Sequence, residues 1–272
     1  IRGTLTVNAG ATVDYLIGNA FGWARGASVN VLNINNGTVG GADVGNHFWN
    51  NFRLNMAGGE LILGGTVNEF QQPTLVVSDD AVIRRADGNT TAPLGLRDGS
   101  RLRTDVADGK TLRIDPAVIQ RYGTASLDVR GTGTLELTDP NNKFDGTTTL
   151  RDTSTLLLSG AARLAGSTSN LYGGRFSIAS GATLDIDSSS KQEWGGVIVG
   201  TGAIRTSGTG EVQLYGNSTF SGNITIEDGA GLQIGGGGTR GVISGNIQID
   251  AGGTLQYYRG DTNSVRINNS IS

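Results

Sequence analysis

The feature that most constrains this chain is a recurring eight-residue spacing between apolar residues, seen at Leu5 and Val13, Leu94 and Leu102, Leu127 and Leu135, Phe176 and Leu184, Ile204 and Val212, Ile224 and Leu232, and Ile247 and Leu255. A second set lies two positions on: Val7 with Tyr15, Val129 with Leu137, Leu150 with Leu158, Ile178 with Ile186, Ile226 with Ile234, and Ile249 with Tyr257. Apolar residues at every second position mark a strand with one buried face. Glycine follows the first apolar residue by five positions at Gly10, Gly99, Gly181, Gly229 and Gly252, where its access to positive φ suits a tight corner. The unit is thus two short strands about one corner, as in Phe176 to Ile186.

In the clearer half, successive units begin at residues 127, 148, 176, 204, 224 and 247, at intervals of 20 to 28 residues. That is the length of one coil of a solenoid, and a coil with about five apolar side chains must stack on neighbours to be stable. A barrel or sandwich would place two-residue Asn-Gly or Asp-Gly turns at regular intervals, whereas Asn36-Gly37 and Asp145-Gly146 occur only sporadically. The expectation is an all-β chain folded as a right-handed parallel β-helix, a β-solenoid with coils of roughly 20–28 residues, forming a single segment over 1–272. Residues 1–126 read as less regular coils, with loops leaving the coil at 87–93 and 115–122, and residues 127–272 read as regular repeat coils. The chain opens at Ile1 within a strand-like run and stops at Ser272 just after another, so it is expected to be a piece of a larger protein.

Composition narrows the function. Glycine supplies 45 of 272 residues, but with four prolines and no regular Gly-x-y triplet repeat the chain is not collagenous. Charged residues make up 17% and the net charge is -3, which argues against nucleic acid as a partner. With no cysteine there is neither a disulfide nor a thiolate metal site. Apolar runs such as Leu156 to Leu158 fall far short of the roughly 20 residues that span a bilayer, so no membrane insertion by this segment is expected.

A polysaccharide-degrading β-helix would need a carboxylate pair or a calcium site beside an Arg or Lys in one groove. Asp79 with Asp80 reads as a solvated turn, and Asp185 with Asp187 as outward charges on a strand. The single histidine, His47, cannot build a triad or metal cluster alone. The glycines at 235–238 lead into Thr239 and Arg240 and lack a calcium-repeat aspartate, and the Gly-x-Gly pairs at 131 and 208 precede strands instead of a phosphate-binding helix. No catalytic residue, metal or cofactor is expected.

Binding has more to work with. The run from Gly45 to Phe52 clusters His47, Phe48, Trp49 and Phe52 among asparagines, and these four are the candidate partner-binding residues. The reading that leads is nevertheless that these aromatics fill the interior or stack between coils, the commoner place for aromatics in a β-helix, with binding as the alternative. Tyr257 with Tyr258, and the Trp23 and Trp194 loops, are weaker candidates. Outward Thr, Ser and Asn repeated along a rod would suit multivalent contact with carbohydrate or with a second rod. Asn-x-Ser/Thr triplets, such as Asn217-Ser218-Thr219, arise by chance in so Asn- and Thr-rich a chain.

From Gly131 the sequence reads GTGTLELTDPNNKFDGTTTLRDTSTLLLSG, and from Gly208 it reads GTGEVQLYGNSTFSGNITIEDGAGLQIGGG. Both windows resemble the autotransporter-associated β-strand repeat of bacterial autotransporter passenger domains. Gly131, Gly133, Leu135, Leu137, Asn141, Phe144, Gly146 and Leu150 fill the pattern in the first, and Gly208, Gly210, Val212, Leu214, Asn217, Phe220, Gly222, Ile224 and Ile226 in the second. Thr153 replaces the corner glycine of the first window. The resemblance implies a β-helical rod outside the cell, exported by type V secretion through an outer-membrane β-barrel of the same parent chain. It also implies an adhesive or aggregating role, with a host or neighbouring-cell glycan or protein, or another rod, as partner. A β-helical polysaccharide-degrading enzyme and a trimeric phage tail spike are the alternatives.

Overall fold

The structure, a computed structural model, describes residues 3–16, 21, 29–41, 44–45, 47–48, 51–97 and 99–260. The described residues form thirty short strands and no helix, and every strand pair is parallel and joins one coil to the next. The chain is a β-solenoid of about ten turns. One face is a nine-stranded sheet running from Gly3–Val7 to Ile198–Gly200. A second has eleven strands, from Thr12–Asp14 to Asn246–Ile249. A third is built from very short strands, from His47–Phe48 to Leu164–Ala165, and is continued by a four-stranded sheet from Gln192–Trp194 to Thr254–Tyr257. The Leu164 backbone N–H donates to Gln192 Oε1 at 3.2 Å, stitching the two sheets together.

The period-two pattern accounts for the interior. Leu112, Leu135, Leu156, Leu184, Ile204, Ile224 and Ile247 stand in register on successive strands of the second face, all buried. By register, coil length runs from 20 residues, Thr183 to Ala203, to 31, Val82 to Arg113. The long coil contains the loop at 87–93, which is tied down where Arg85 Nε donates to the Ala92 carbonyl at 3.0 Å.

Three expectations change. The segment 115–122 does not leave the coil, because Val118–Gln120 is a strand of the third face, paired with Leu94–Leu96. The eight-residue spacing marks any corner and not one particular corner: Leu94 and Leu102 lie on the third and first faces, and Ile204 and Val212 on the second and third. The two windows of the repeat are also offset by one face. Gly131 to Gly133 turns from the first face into Thr134–Leu137 of the second, whereas Gly208 to Gly210 turns from the second face into Glu211–Leu214 of the third.

Close stacking at the corners explains much of the glycine. A Cβ on Gly174 would lie 2.2 Å from the Gly146 carbonyl oxygen, one on Gly196 1.9 Å from that of Gly174, and one on Gly216 2.1 Å from that of Gly196. Only glycine lets each coil settle at the ~4.8 Å strand spacing there. Buried polar side chains take up further backbone donors: Asn142 accepts from the Val118 N–H at 2.9 Å, and the Ser218 hydroxyl accepts from the Ile198 N–H at 2.9 Å.

The outer side of the first face carries one buried carboxylate. Asp128 accepts from Arg130 and Arg151, each at 2.8 Å, with Arg103 at 3.6 Å and Arg101 at 3.9 Å. Burial alone would raise its carboxyl, but the bonds from Arg130 and Arg151 outweigh this and hold it below the ordinary range. A depressed carboxyl contributes stability that is complete above the unfolded-state value of about 4 and is lost as pH falls through the folded value. Acid titration of the melting temperature is therefore expected to fall more steeply below about pH 4 in the native chain than in Asp128→Asn. Equal slopes would place the acid sensitivity elsewhere.

Candidate functional site

The segment singled out by its aromatics lies on the third face. Phe48 and Phe52 are fully buried, and His47 nearly so. Phe48 stacks on Phe70 of the next coil with ring centroids 4.3 Å apart and planes 16° apart, and Phe52 closes on Phe48 at 4.8 Å. Phe21 and Tyr15 extend the stack. These rings have no face to offer a partner, so the binding role expected of Phe48 and Phe52 is corrected to an interior one, because a ring stacked between coils removes more apolar surface from water than one left outside. Trp49 and Trp23 lie outside the described residues. Trp194 is not in a loop: it sits in a strand, buried, against Phe176 at 4.6 Å.

His47 belongs to a polar row along the coils. Its Nε2 lies 3.0 Å from Glu69 Oε2, which also accepts from Arg97 at 2.5 Å, and the Arg97 guanidinium sits 5.1 Å over the Tyr122 ring. Burial, opposed by Glu69 and aided by Arg97, pushes the imidazole below its ordinary range. Glu69 is thus shared between one cation, Arg97, and an imidazole whose neutral form is favoured.

The carboxylates weighed for catalysis separate. Asp79 accepts from Lys110 at 2.7 Å, and Asp80 caps the Thr111 N–H at 2.8 Å, so both serve a corner. Asp185 is less solvated than its outward position suggests, with its side chain 16% exposed and its carboxyl raised by burial. Its Oδ2 accepts from Arg205 at 2.8 Å, and Arg205 also donates to Glu227 at 2.8 Å. Held between two carboxylates, that guanidinium is stabilised in its charged form, the opposite of what a general base needs. Among the described residues, no group of three or more His, Cys, Asp or Glu side chains is placed to hold a metal ion. No helix among them is long and apolar enough to cross a membrane.

A concave surface appears instead on the four-stranded sheet that continues the third face. It is an open groove of about 660 Å³ whose lining includes Glu193, Gln213, Tyr215, Gln233, Arg240 and Tyr258. Strand register sets its floor. Glu193, Gln213, Gln233 and Gln256 stand in one column, and the residues two positions on are Gly195, Tyr215, Gly235 and Tyr258. Gln213 Nε2 donates to Glu211 at 2.7 Å and to Gln233 Oε1 at 3.2 Å, while Gln233 Nε2 donates to the Gly235 carbonyl at 2.7 Å. The Tyr215 hydroxyl donates to Gln213 Oε1. Burial, countered by Lys191 and reinforced by Glu193 and Glu211, raises the Tyr215 hydroxyl above its ordinary range, so it stays a neutral donor. The weaker candidate Tyr258 lies here, 53% exposed, whereas its neighbour Tyr257 packs against the core.

Chemically, this arrangement is a fixed row of amides flanked by aromatic rings, suited to hydrogen bonding and ring stacking. The signal lay in the sequence as Gln213, Gln233 and Gln256, but only the coil register shows that they form a column. The fold and this face define the chain as a β-solenoid that carries a polar, aromatic groove. Comparison with family models, with curated proteins and with solved structures finds no match.

Proposed function

We propose that the chain is a structural and adhesive segment of an exported bacterial surface protein, an autotransporter passenger whose stacked coils form a rod that presents binding surfaces outside the cell. The observation that carries this reading is the register in which outward positions stack from coil to coil, shifted only at Gly3/Thr4 and Met56/Ala57 among the described strand pairs. Polar side chains such as Asn33 and Asn55, 2.7 Å apart, or Gln213 and Gln233 repeat from coil to coil along the solenoid. Many weak contacts on such a surface add by multivalency. The windows beginning at Gly131 and Gly208 supply the resemblance to passenger repeats.

The reading assigns no catalysis to the segment, and it places the partner among surface glycans or proteins or a second rod. The test is the coding sequence downstream of Ser272 together with the mass of the chain in solution. A C-terminal run of roughly ten-residue alternating strands, the pattern of a membrane barrel, and a monomeric rod are expected. A trimer would move the reading to a phage spike, and a downstream catalytic domain would move it to an enzyme.

A further inference from the structure

We infer that the groove on the four-stranded part of the third face is a binding site for an extended, uncharged oligosaccharide. This deepens the adhesive reading by naming the ligand class, and it rests on the geometry of the groove itself.

Sheet register makes the two tyrosines periodic. Tyr215 and Tyr258 lie two coils apart in the column Gly195, Tyr215, Gly235, Tyr258. At a strand spacing of about 4.8 Å that places them about 10 Å apart along the rod, close to the advance of one disaccharide in an extended chain of β-linked pyranoses. Glycine between them is a spatial requirement. A Cβ on Gly236 would lie 2.8 Å from the Tyr215 ring, and one on Gly237 3.3 Å from the Tyr258 ring. The rings therefore lie down over glycine backbone, leaving a shallow trough beside the amide column.

The polar groups select for hydroxyls. Gln213 and Gln233 are fixed by the bonds they make to each other and to the Gly235 carbonyl. Gln213 and Gln233 are almost buried, so they form a preorganised floor that offers a ligand only its exposed edge and costs no further ordering. Gln256 and the Tyr258 hydroxyl extend the row into solvent. Pyranose C–H faces stack on aromatic rings, while their rim hydroxyls reach amides, and both needs are met on one edge here. Charge is balanced as well: the ionisable groups of the lining include one of each sign, Glu193 and Arg240, while Lys191 pairs with Glu193 at 3.3 Å and Glu211 accepts from Gln213. A neutral groove favours an uncharged saccharide over a polyanion. Its volume, about 660 Å³, lies within the ~300–1,000 Å³ of ligand sites.

The experiment uses the whole chain, titrated calorimetrically with a neutral β-1,4-linked glucose hexamer, with glucose, and with a hexamer of a β-linked uronic acid. Tyr258→Ala and Tyr215→Ala/Tyr258→Ala are measured alongside, with circular dichroism and solution mass as controls. Tyr258 is exposed and its truncation leaves the coil intact; each ring lost is expected to weaken hexamer binding about 3- to 10-fold. The neutral hexamer should bind more tightly than glucose or the acidic hexamer. Three results would overturn the assignment: no binding of the neutral hexamer, binding unchanged in the double variant, or self-association that Tyr258→Ala abolishes, which would give the face to a second copy. Hexamer binding with no membrane barrel in the parent gene would keep the groove and remove the export reading. Surface display without hexamer binding would do the reverse.

Discussion

Phe70→Ala is expected to destabilise the chain by about 3–5 kcal/mol, the usual cost of emptying a buried phenylalanine site. Phe70 is fully buried between its coil and the next, stacked on Phe48 at 4.3 Å and edge-on to Phe52 at 6.1 Å. The backbone there cannot collapse into the void, because Phe48 and Phe70 are held in register by parallel pairing, as are Phe70 and Leu96. Urea unfolding followed by far-ultraviolet circular dichroism measures the loss. Since strands pair only with those of the adjacent coils, the defect should also open the N-terminal coils before the rest, giving a broader transition than in the native chain. A change below about 1 kcal/mol would mean that the stack is not close-packed. The same reasoning explains why Phe48→Ala reports folding and is unsuitable as a probe of attachment.

Gly200→Ala is the second large effect, and its contrast with Gly229→Ala tests the cause. Gly200 has φ 112°, and a Cβ there would fall 1.9 Å from the Ile178 carbonyl oxygen, so both the conformation and the space exclude a side chain. Backbone strain and overpacking each cost about 1–3 kcal/mol. Gly229 has φ 75° with no atom within 4 Å of the added carbon, which leaves only the conformational cost, about 1 kcal/mol. Thermal melts of the two variants should therefore separate widely, with Gly200→Ala the lower. Equal melting temperatures would show that coil spacing adjusts freely at Gly200. Gly252 falls between them, since the added carbon would meet only the movable Asp228 carboxylate. Changes at Gly229 or Gly252 are thus mild probes of coil stability, and Gly200 is the stringent one.

Strand identity was legible because burial on one face forces alternation. Leu135 with Leu137 and Ile224 with Ile226 announce their strands and are buried where the pattern puts them. The third face was not legible. Strands such as Asn142–Lys143 and Leu164–Ala165 have two residues, too few for any period to appear, and they exist because neighbouring coils supply their hydrogen bonds. The placement of the site aromatics stayed open between interior and surface for a related reason. Phe48 and Phe52 look like a surface cluster beside asparagines, but whether an aromatic points inward depends on which coil lies above it, here the one that carries Phe70.

By itself the sequence determined the solenoid, because eight-residue apolar pairs about a glycine corner, recurring every twenty-odd residues, have one economical way of hiding their apolar sides: stacking. Only the tertiary structure decided which corner each pair occupies, since all corners obey the same local chemistry, and the windows at Gly131 and Gly208 fall on different ones. It alone also brought Glu193, Gln213, Gln233 and Gln256 into one column beside Tyr215 and Tyr258. Those residues are separated by coils of 20 and 23 residues, and alignment across unequal intervals is set by hydrogen-bond register between strands, a long-range property that no local pattern encodes.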